Sequence, residues 1–327
     1  MSDLPVPKDS SSELTKVSGP GIALPKVIEA SGTQAAHRYI EFFFVHIRNK
    51  NTRRAYRNAI NLFLAWCDSR GLSFTSISPM AIAAYVETHT GSAPTINQHL
   101  TAIRQLFAWM KAGGLIQENP ATEIKGVKHR VKVGKTPALS DEEIKDLLES
   151  IDVSHVVGLR DRALIATMFF SFARIGAVLA MSVKDYFPKG KRYWLRLHEK
   201  GGKYHEVPVH HTLERYLDVY IETGSLAGEP DSPLFRTTRG RSRTLTPRRL
   251  QQPEAWAMVQ RKAVAADIST DACNHTFRAS GITNFLRNGG SLDNAQKIAA
   301  HEVSRTTALY DRRSDEISLD EIERIRI

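Results

Sequence analysis

The sequence predicts a mainly α-helical protein of two domains with a small β-hairpin in the second, and three observations carry that expectation. The chain has 327 residues, too many for one typical domain and suited to two of roughly 100 to 200 residues each. From Ala35 onward, apolar residues recur at helical spacing in segments bounded by Ser, Thr, Asn, Gly or Pro. The stretch YWLRLHEKGGKYHEVPV, residues 193–209, instead alternates apolar and polar on both sides of Gly201 and Gly202, as a hairpin does.

Residues 1–33 mix Ser, Pro, Gly and Lys without a sustained hydrophobic period and read as a flexible tail. A helical domain over 34–125 follows, built from HRYIEFFFVHI, NTRRAYRNAINLFLAWCDSRG, SPMAIAAYVETHTG and APTINQHLTAIRQLFAWMKAGG. In the second of these helices Thr52, Arg53, Arg54, Tyr56 and Arg57 crowd the first turns, while Ile60, Phe63, Leu64 and Cys67 form an apolar stripe. The basic start suits a phosphate backbone or a solvated helix end equally. GVKHRVKVGKTP, residues 126–137, is basic and unpatterned and reads as a linker.

The second domain spans 138–327. Ser140 and Glu143 fit a capping box that opens its first helix. RDRALIATMFFSFARIGAVLAMSV predicts an apolar helix, a turn and a second helix, with Arg174 set among Phe169, Phe170, Phe172, Ile175 and Val178. A guanidinium in such company is hard to read as surface decoration. Lys200 and Lys203 flank the hairpin turn. FRTTRGRSRTLTPRR, residues 235–249, holds six arginines and no acid and reads as a basic loop, serving solubility or DNA contact. At the end of the chain, EISLDEIERIRI carries a second capping box in Ser318 and Glu321, followed by an apolar stripe of Ile322, Ile325 and Ile327.

Hydrophobic residues make up 42% of the chain and charged residues 24%, the balance of a folded, soluble protein rather than a disordered one. No apolar run approaches the roughly 18 residues of a membrane span, and MSDLPVPKDSSSEL has acids where a signal peptide is apolar. A cytoplasmic location without membrane partners is expected. The two cysteines, Cys67 and Cys273, lie far apart without CxxC spacing, which argues against a disulfide framework and a zinc site. Lysine plus arginine number 45 against 35 aspartates plus glutamates, and the resulting +10 favours a polyanionic partner such as nucleic acid.

His275 and Arg278, in NHTFRASGIT, are neighbours on one helical face and on their own amount to an ordinary surface pair. Four further residues change that reading: Arg174, Lys200 on the hairpin turn, His301 in AAHEVS and Tyr310 in TTALYDRR. The ordered set resembles the active site of the tyrosine recombinases, or phage integrase family. An arginine opens it, then come a lysine on a hairpin, HxxR, a second histidine and a tyrosine nine residues later. Arg278 and Tyr310 stand 32 residues apart, as in bacterial members of the family, and NGGSLDNAQKIAAHEVSRTTALY resembles its progression between them. The resemblance covers most of residues 36–318. Two departures stand out: Ala177, where the family usually has an acid three places after the first arginine, and Ala300, where it usually has glycine before the second histidine.

The resemblance implies a two-domain clamp on double-stranded DNA, with a helical, SAM-like core-binding domain and a catalytic domain. It implies site-specific recombination through a 3′-phosphotyrosyl intermediate formed by Tyr310. Covalent catalysis stores the phosphoester bond energy, so no cofactor is needed, and no Walker motif is visible. Arg174 and Arg278 are the expected phosphate clamp, since guanidinium forks match the non-bridging oxygens. Lys200 is the expected acid to the 5′ oxygen and His275 the base for the tyrosine, an ordinary phenol with a pKa of about 10 being a weak nucleophile. His301 is expected to hydrogen-bond the phosphate. A single helix over 301–310 would put His301 and Tyr310 on opposite faces, so the segment must break, with Ser304 as the cap of a new helix. A homotetramer on two synapsed sites, linked by swapped C-terminal helices, is the implied assembly, and accessory proteins that set direction are compatible with it. Two other readings share the residues: an idle DNA-binding relative, supported only by Ala177, and a nicking and resealing enzyme of the topoisomerase IB type.

Overall fold

The computed structural model describes residues 23–129, 136–198, 204–240 and 242–311. The chain divides between Arg130 and Val131 into two compact units. In the first, α1 (Lys26–Glu29) and α2 (Thr33–Glu41) lead through a π-helical turn at Phe42–His46 into α3 (Lys50–Asp68), α4 (Pro79–Thr88) and α5 (Ala93–Ala112). The start of α4 is the one the sequence marks, whereas α2 and α3 open earlier than the segments read from His37 and Asn51. Asn49 Oδ1 accepts from the amides of Asn51 and Thr52 at 2.9 and 3.1 Å, and Ser78 Oγ accepts from Ala81, with Pro79 in the first turn of α4. Ile60, Phe63, Leu64 and Cys67 are fully buried on α3 against Tyr39, Phe42, Ile103 and Phe107.

Two expectations for this unit are corrected. The flexible tail does not extend to residue 33: Pro25 precedes α1, whose Val27 and Ile28 are buried in the core, a run too short to display a period. Residues 1–22 lie outside the described residues. Nor do all the basic residues at the start of α3 face outward. Arg53 turns back to donate from Nε and Nη2 to the Ile47 carbonyl at 3.1 and 2.9 Å, whereas Arg54 is exposed.

The second unit begins with α6 (Asp141–Glu149), whose Ser140–Glu143 capping box is formed in both directions, and continues with α7 (Val156–Ser171) and α8 (Ile175–Ala180). Strands β1 (Tyr186–Lys189), β2 (Arg192–His198) and β3 (Tyr204–Pro208) make an antiparallel sheet in that order. The β2–β3 hairpin is the one the alternation predicts, with Leu195 opposite Val207 and Leu197 opposite His205. Leu195, Leu197 and Val207 supply its buried face. Its tip, residues 199–203, lies outside the described residues and carries both Lys200 and Lys203. The third strand, YFPK, has no readable alternation and forms because β2 is there to pair with it.

The remaining elements are α9 (His211–Thr223), β4 (Arg236–Thr238), β5 (Leu245–Arg249), α10 (Gln252–Ala265), α11 (Asn274–Arg287), α12 (Leu292–Ile298) and α13 (Ser304–Ala308). The expected basic loop over 235–249 is thus corrected to a two-stranded ribbon. Its arginines are not all free for solvent: Arg236 is buried and ion-paired with Glu229, and Arg249 Nη1 donates to the carbonyls of Leu179 and Met181. From α7, Arg160 reaches the Arg236 carbonyl at 2.8 Å while pairing with Asp161, which ties the ribbon to the central helix. Among the described residues, no helix is long and apolar enough to cross a membrane. The C-terminal capping box at Ser318 and Glu321 lies outside the described residues.

Candidate active site

The site is built where the C-termini of α7 and α12 meet α11. The helix α7 is apolar nearly all round and fully packed, so its end is fixed by the core. Phe172 terminates it in the left-handed region at φ 54°, which turns its carbonyl out of the helical direction. Two residues later Arg174 stands at the N-cap of α8, half-buried.

Arg278 lies one turn into α11 and is 1% exposed. Its Nη1 donates to the Phe172 carbonyl and its Nη2 to the Ala299 carbonyl at 2.7 Å. Helix C-termini leave carbonyls without intrahelical donors and carry the negative end of the helix dipole, so two such ends converging on one guanidinium stabilise a buried positive charge. Gly281, one turn further along α11, makes the approach possible. A Cβ there would stand 2.1 Å from the Phe169 carbonyl, so any larger residue would push α11 off α7 and withdraw Arg278 from Phe172.

The segment between His301 and Tyr310 breaks, as their shared side of the site demands. Helix α12 ends with the His301 amide donating to the Gln296 carbonyl and the Ala300 amide to the Lys297 carbonyl, both at 3.1 Å. This is the Schellman pattern, and its left-handed position falls on Ala300 at φ 48°. Helix α13 then starts at Ser304. The expectation that Ser304 caps it is corrected by one position: Val303 is the N-cap, and no side chain caps the helix.

The break lays the His301 ring parallel to Tyr310, with centroids 5.9 Å apart and planes within 8°. From α11, His275 Nε2 lies 3.0 Å from the Tyr310 hydroxyl. The tyrosine backbone is held by Thr283 Oγ1, which donates to the Tyr310 carbonyl at 3.0 Å, and by its own amide donating to Thr307. Thr307 Oγ1 lies 2.8 Å from His301 Nδ1. A hydroxyl donated to Nδ1 leaves the His301 Nε2–H as a donor.

Both histidines are biased toward the neutral form. Burial, then the Arg278 and Arg174 guanidiniums, then His275 lower the pKa of His301 to about 3. His275 opens to solvent on one side, yet the protein packed on the other, followed by Arg278 and Arg174, holds it below the ordinary 6.5. A neutral His275 can accept the Tyr310 proton at Nε2. A concavity of about 720 Å³ in the first unit, beside Phe74, Ile77 and Phe107, contains none of these residues.

Five of the six residues expected from the sequence, Arg174, His275, Arg278, His301 and Tyr310, thus gather around one point, and Lys200 lies outside the described residues. Ala177 is buried in the core at 4% exposure and offers no carboxylate. Thr283, Thr307 and the carbonyls of Phe172 and Ala299 are not readable from the sequence, because only the packed helices bring these groups together with the site. Among the described residues, no group of three or more His, Cys, Asp or Glu side chains is placed to hold a metal.

Ala300 gives a direct check on this geometry. A Cβ in the left-handed region costs roughly 1 to 2 kcal/mol, against which glycine adds unfolded-state entropy of roughly 0.5 to 1 kcal/mol. Ala300→Gly therefore raises stability by a net of about 0.5 to 1 kcal/mol, read as a higher denaturant midpoint at unchanged slope. A midpoint that stays or falls would show that residue 300 does not occupy that region.

Comparison with known proteins identifies the family of the chain. Residues 137–316 match the model of the phage integrase family, and residues 37–114 match its N-terminal SAM-like domain. The chain is similar to the tyrosine recombinase XerD of Ralstonia nicotianae, 28% identical over 286 residues that cover 86% of this chain and 90% of that protein. It is 26% identical to XerD of Pseudomonas aeruginosa over 268 residues, 80% of this chain and 86% of that protein. In fold it is similar to the XerH site-specific recombinase in a post-cleavage complex with a palindromic difH substrate, at a TM-score of 0.67 and 20% identity, over 91% of this chain and 88% of that one. It is similar also to lambda integrase (75–356), a dimer on a COC′ core site, at a TM-score of 0.65 and 18% identity, over 86% of this chain and 97% of that one. With a catalytic-domain model matched across more than half its length and the N-terminal domain of the same family ahead of it, the chain belongs to the phage integrase family.

Proposed function

We propose that this chain is a site-specific DNA recombinase that cuts and rejoins duplex DNA through a bond between Tyr310 and a 3′ phosphate. The observation that carries the reading is the Tyr310 hydroxyl 3.0 Å from Nε2 of a histidine held neutral. In the forward step the hydroxyl proton passes to His275, the tyrosine oxygen bonds to phosphorus, and the bond from phosphorus to O5′ breaks. Lys200 is the proposed donor of the proton that O5′ takes up. A 5′ hydroxyl from the partner strand reverses these transfers, so bond energy is conserved and no cofactor is consumed.

Arg174 and Arg278 supply positive charge opposite the negative charge that develops on the non-bridging oxygens of the phosphorane. Preorganised donors of this kind are worth roughly 100-fold to 1000-fold in rate each. Because Arg278 is 1% exposed and committed to two carbonyls, a phosphate meets its remaining N–H edge only after the protein covering it shifts. Arg278 thus acts first as the tie that sets the site and second as a phosphate donor. The His301 Nε2–H is a further donor to the same phosphate.

Double-stranded DNA carrying specific recombination sites is the proposed partner. The +10 net charge supports it, as do the DNA complexes of the structural neighbours, which include a lambda integrase tetramer on a Holliday junction. A homotetramer on two synapsed sites in the cytoplasm completes the reading, and accessory proteins are compatible with it. Its test is strand transfer between two labelled duplex sites of different length. Exchanged strands of hybrid length are expected. Resealing without exchange would identify a topoisomerase-like enzyme, and binding without any covalent adduct an idle relative.

A further inference from the structure

We propose that His205 is a positioning residue for strand cleavage, one that fixes the C-terminus of α12 and through it the His301–Tyr310 ring pair. The inference rests on the function proposed above and adds a residue outside the six expected from the sequence. His205 lies on β3, half-buried, and its Nε2 is 2.9 Å from the carbonyl of Ile298, the last residue of α12. A backbone carbonyl can only accept, so the imidazole is the donor.

The importance of that bond follows from an account of the carbonyls at this helix end. The Ala295 carbonyl accepts from the Ala299 amide at 2.9 Å, and those of Gln296 and Lys297 accept from His301 and Ala300. The next two have side-chain donors from other elements: Ile298 takes His205 and Ala299 takes Arg278. His205 and Arg278 therefore hold adjacent carbonyls of one helix end from two directions, the sheet and α11. Between this anchorage and the site lies one residue, Ala300, in a left-handed conformation that an alanine adopts only under constraint. The ring of His301 follows at once, stacked on Tyr310.

The Ile298 side chain reinforces the position. It packs against the main core of the second unit and also against the smaller cluster that contains Phe172, Ala299 and Tyr310. The end of α12 is thus the junction between the core and the cluster that carries the nucleophile. A donor on β3 fixes the junction relative to the sheet without touching substrate. Helix α12 is only seven residues long and cannot hold its own terminus rigidly by propagation.

His205→Phe keeps a ring of similar size and removes the donor, and His205→Gln restores an N–H at similar reach. Three quantities are compared with the parent chain: duplex affinity, the single-turnover rate of covalent adduct formation on a nicked suicide substrate at saturating enzyme, and the NMR titration of His301. For His205→Phe we expect unchanged affinity, adduct formation slowed about tenfold, and a His301 pKa that moves up toward the ordinary histidine value as its ring loses burial and leaves the arginines. His205→Gln is expected to recover most of the rate. The inference is overturned if His205→Phe leaves both the rate and the His301 titration as in the parent, or if Gln and Phe slow the reaction equally. A parent chain that forms no adduct would overturn instead the proposed function beneath it, and the His301 titration still reports on the anchorage. A variant too unstable to assay for cleavage is judged by His205→Gln and that titration.

Discussion

A Tyr310→Phe chain binds duplex DNA as the parent does and gives no covalent protein–DNA adduct that survives denaturant. The substitution removes one oxygen from a residue that is 8% exposed and leaves the rest of its setting in place. The ring still stacks on His301, and the carbonyl still accepts from Thr283. What is lost to stability is the bond with His275, a net of about 1 kcal/mol for a partly exposed pair. The nucleophile, in contrast, is lost entirely, so cleavage falls by several orders of magnitude to the background of water attack. Two tyrosines serve as controls. Tyr204 is 69% exposed, and Tyr216 lies beneath Arg162, 4.2 Å from its ring centroid; removing either hydroxyl leaves trapping intact. Adduct formed by Tyr310→Phe, and abolished by a change at another tyrosine, would move the site to that residue. The parent rate also has a defined acid limb. Because the His275 pKa is depressed, its basic form persists down through pH 6.5, and the limb falls below that value.

How far the sequence reached is seen best by comparing Tyr310 with the segment that carries it. His275, Arg278, His301 and Tyr310 are picked out by their resemblance to the tyrosine recombinase set, and the need for a break before Tyr310 follows from helical spacing. The mechanism of the break does not, since it depends on which carbonyls of α12 find donors on β3 and α11. Periodicity finds α3, α5 and α7 because each buries a stripe or a whole surface. It fails for β1 and for the β4–β5 ribbon, which are three to five residues long and exist through pairing. It fails for α1 as well, where two buried residues are too few for a period. The six arginines of 235–249 misled for a related reason: charge patterning assumes that a guanidinium faces water, and Arg236 and Arg249 face carbonyls and a carboxylate instead.

Arg278→Lys is expected to slow adduct formation about 100-fold to 1000-fold and to lower stability by about 2 kcal/mol, while duplex affinity changes little. The charge survives the substitution and the geometry does not. The carbonyls of Phe172 and Ala299 come from two different helices and meet one planar fork. A lysine ammonium is a single point on a flexible stem. It can satisfy one of them well, which leaves the other buried without its donor and frees the end of α7 or of α12. Because the ring stays buried and a positive charge remains beside it, the His301 pKa stays low in Arg278→Lys, and stability keeps its dependence on acid. The depressed group contributes stability above its unfolded value of 6.5, and that contribution is lost as pH falls toward about 3. Arg278→Met separates the two effects. It removes one of the charges as well as the fork, so the His301 pKa rises part of the way, with burial and Arg174 still holding it below 6.5, and the acid-dependent loss of stability shrinks, while adduct formation is slowed at least as much as by lysine. If lysine at 278 cleaves within about threefold of the parent, a point charge is sufficient, and the two-carbonyl tie cannot be what holds the site in order.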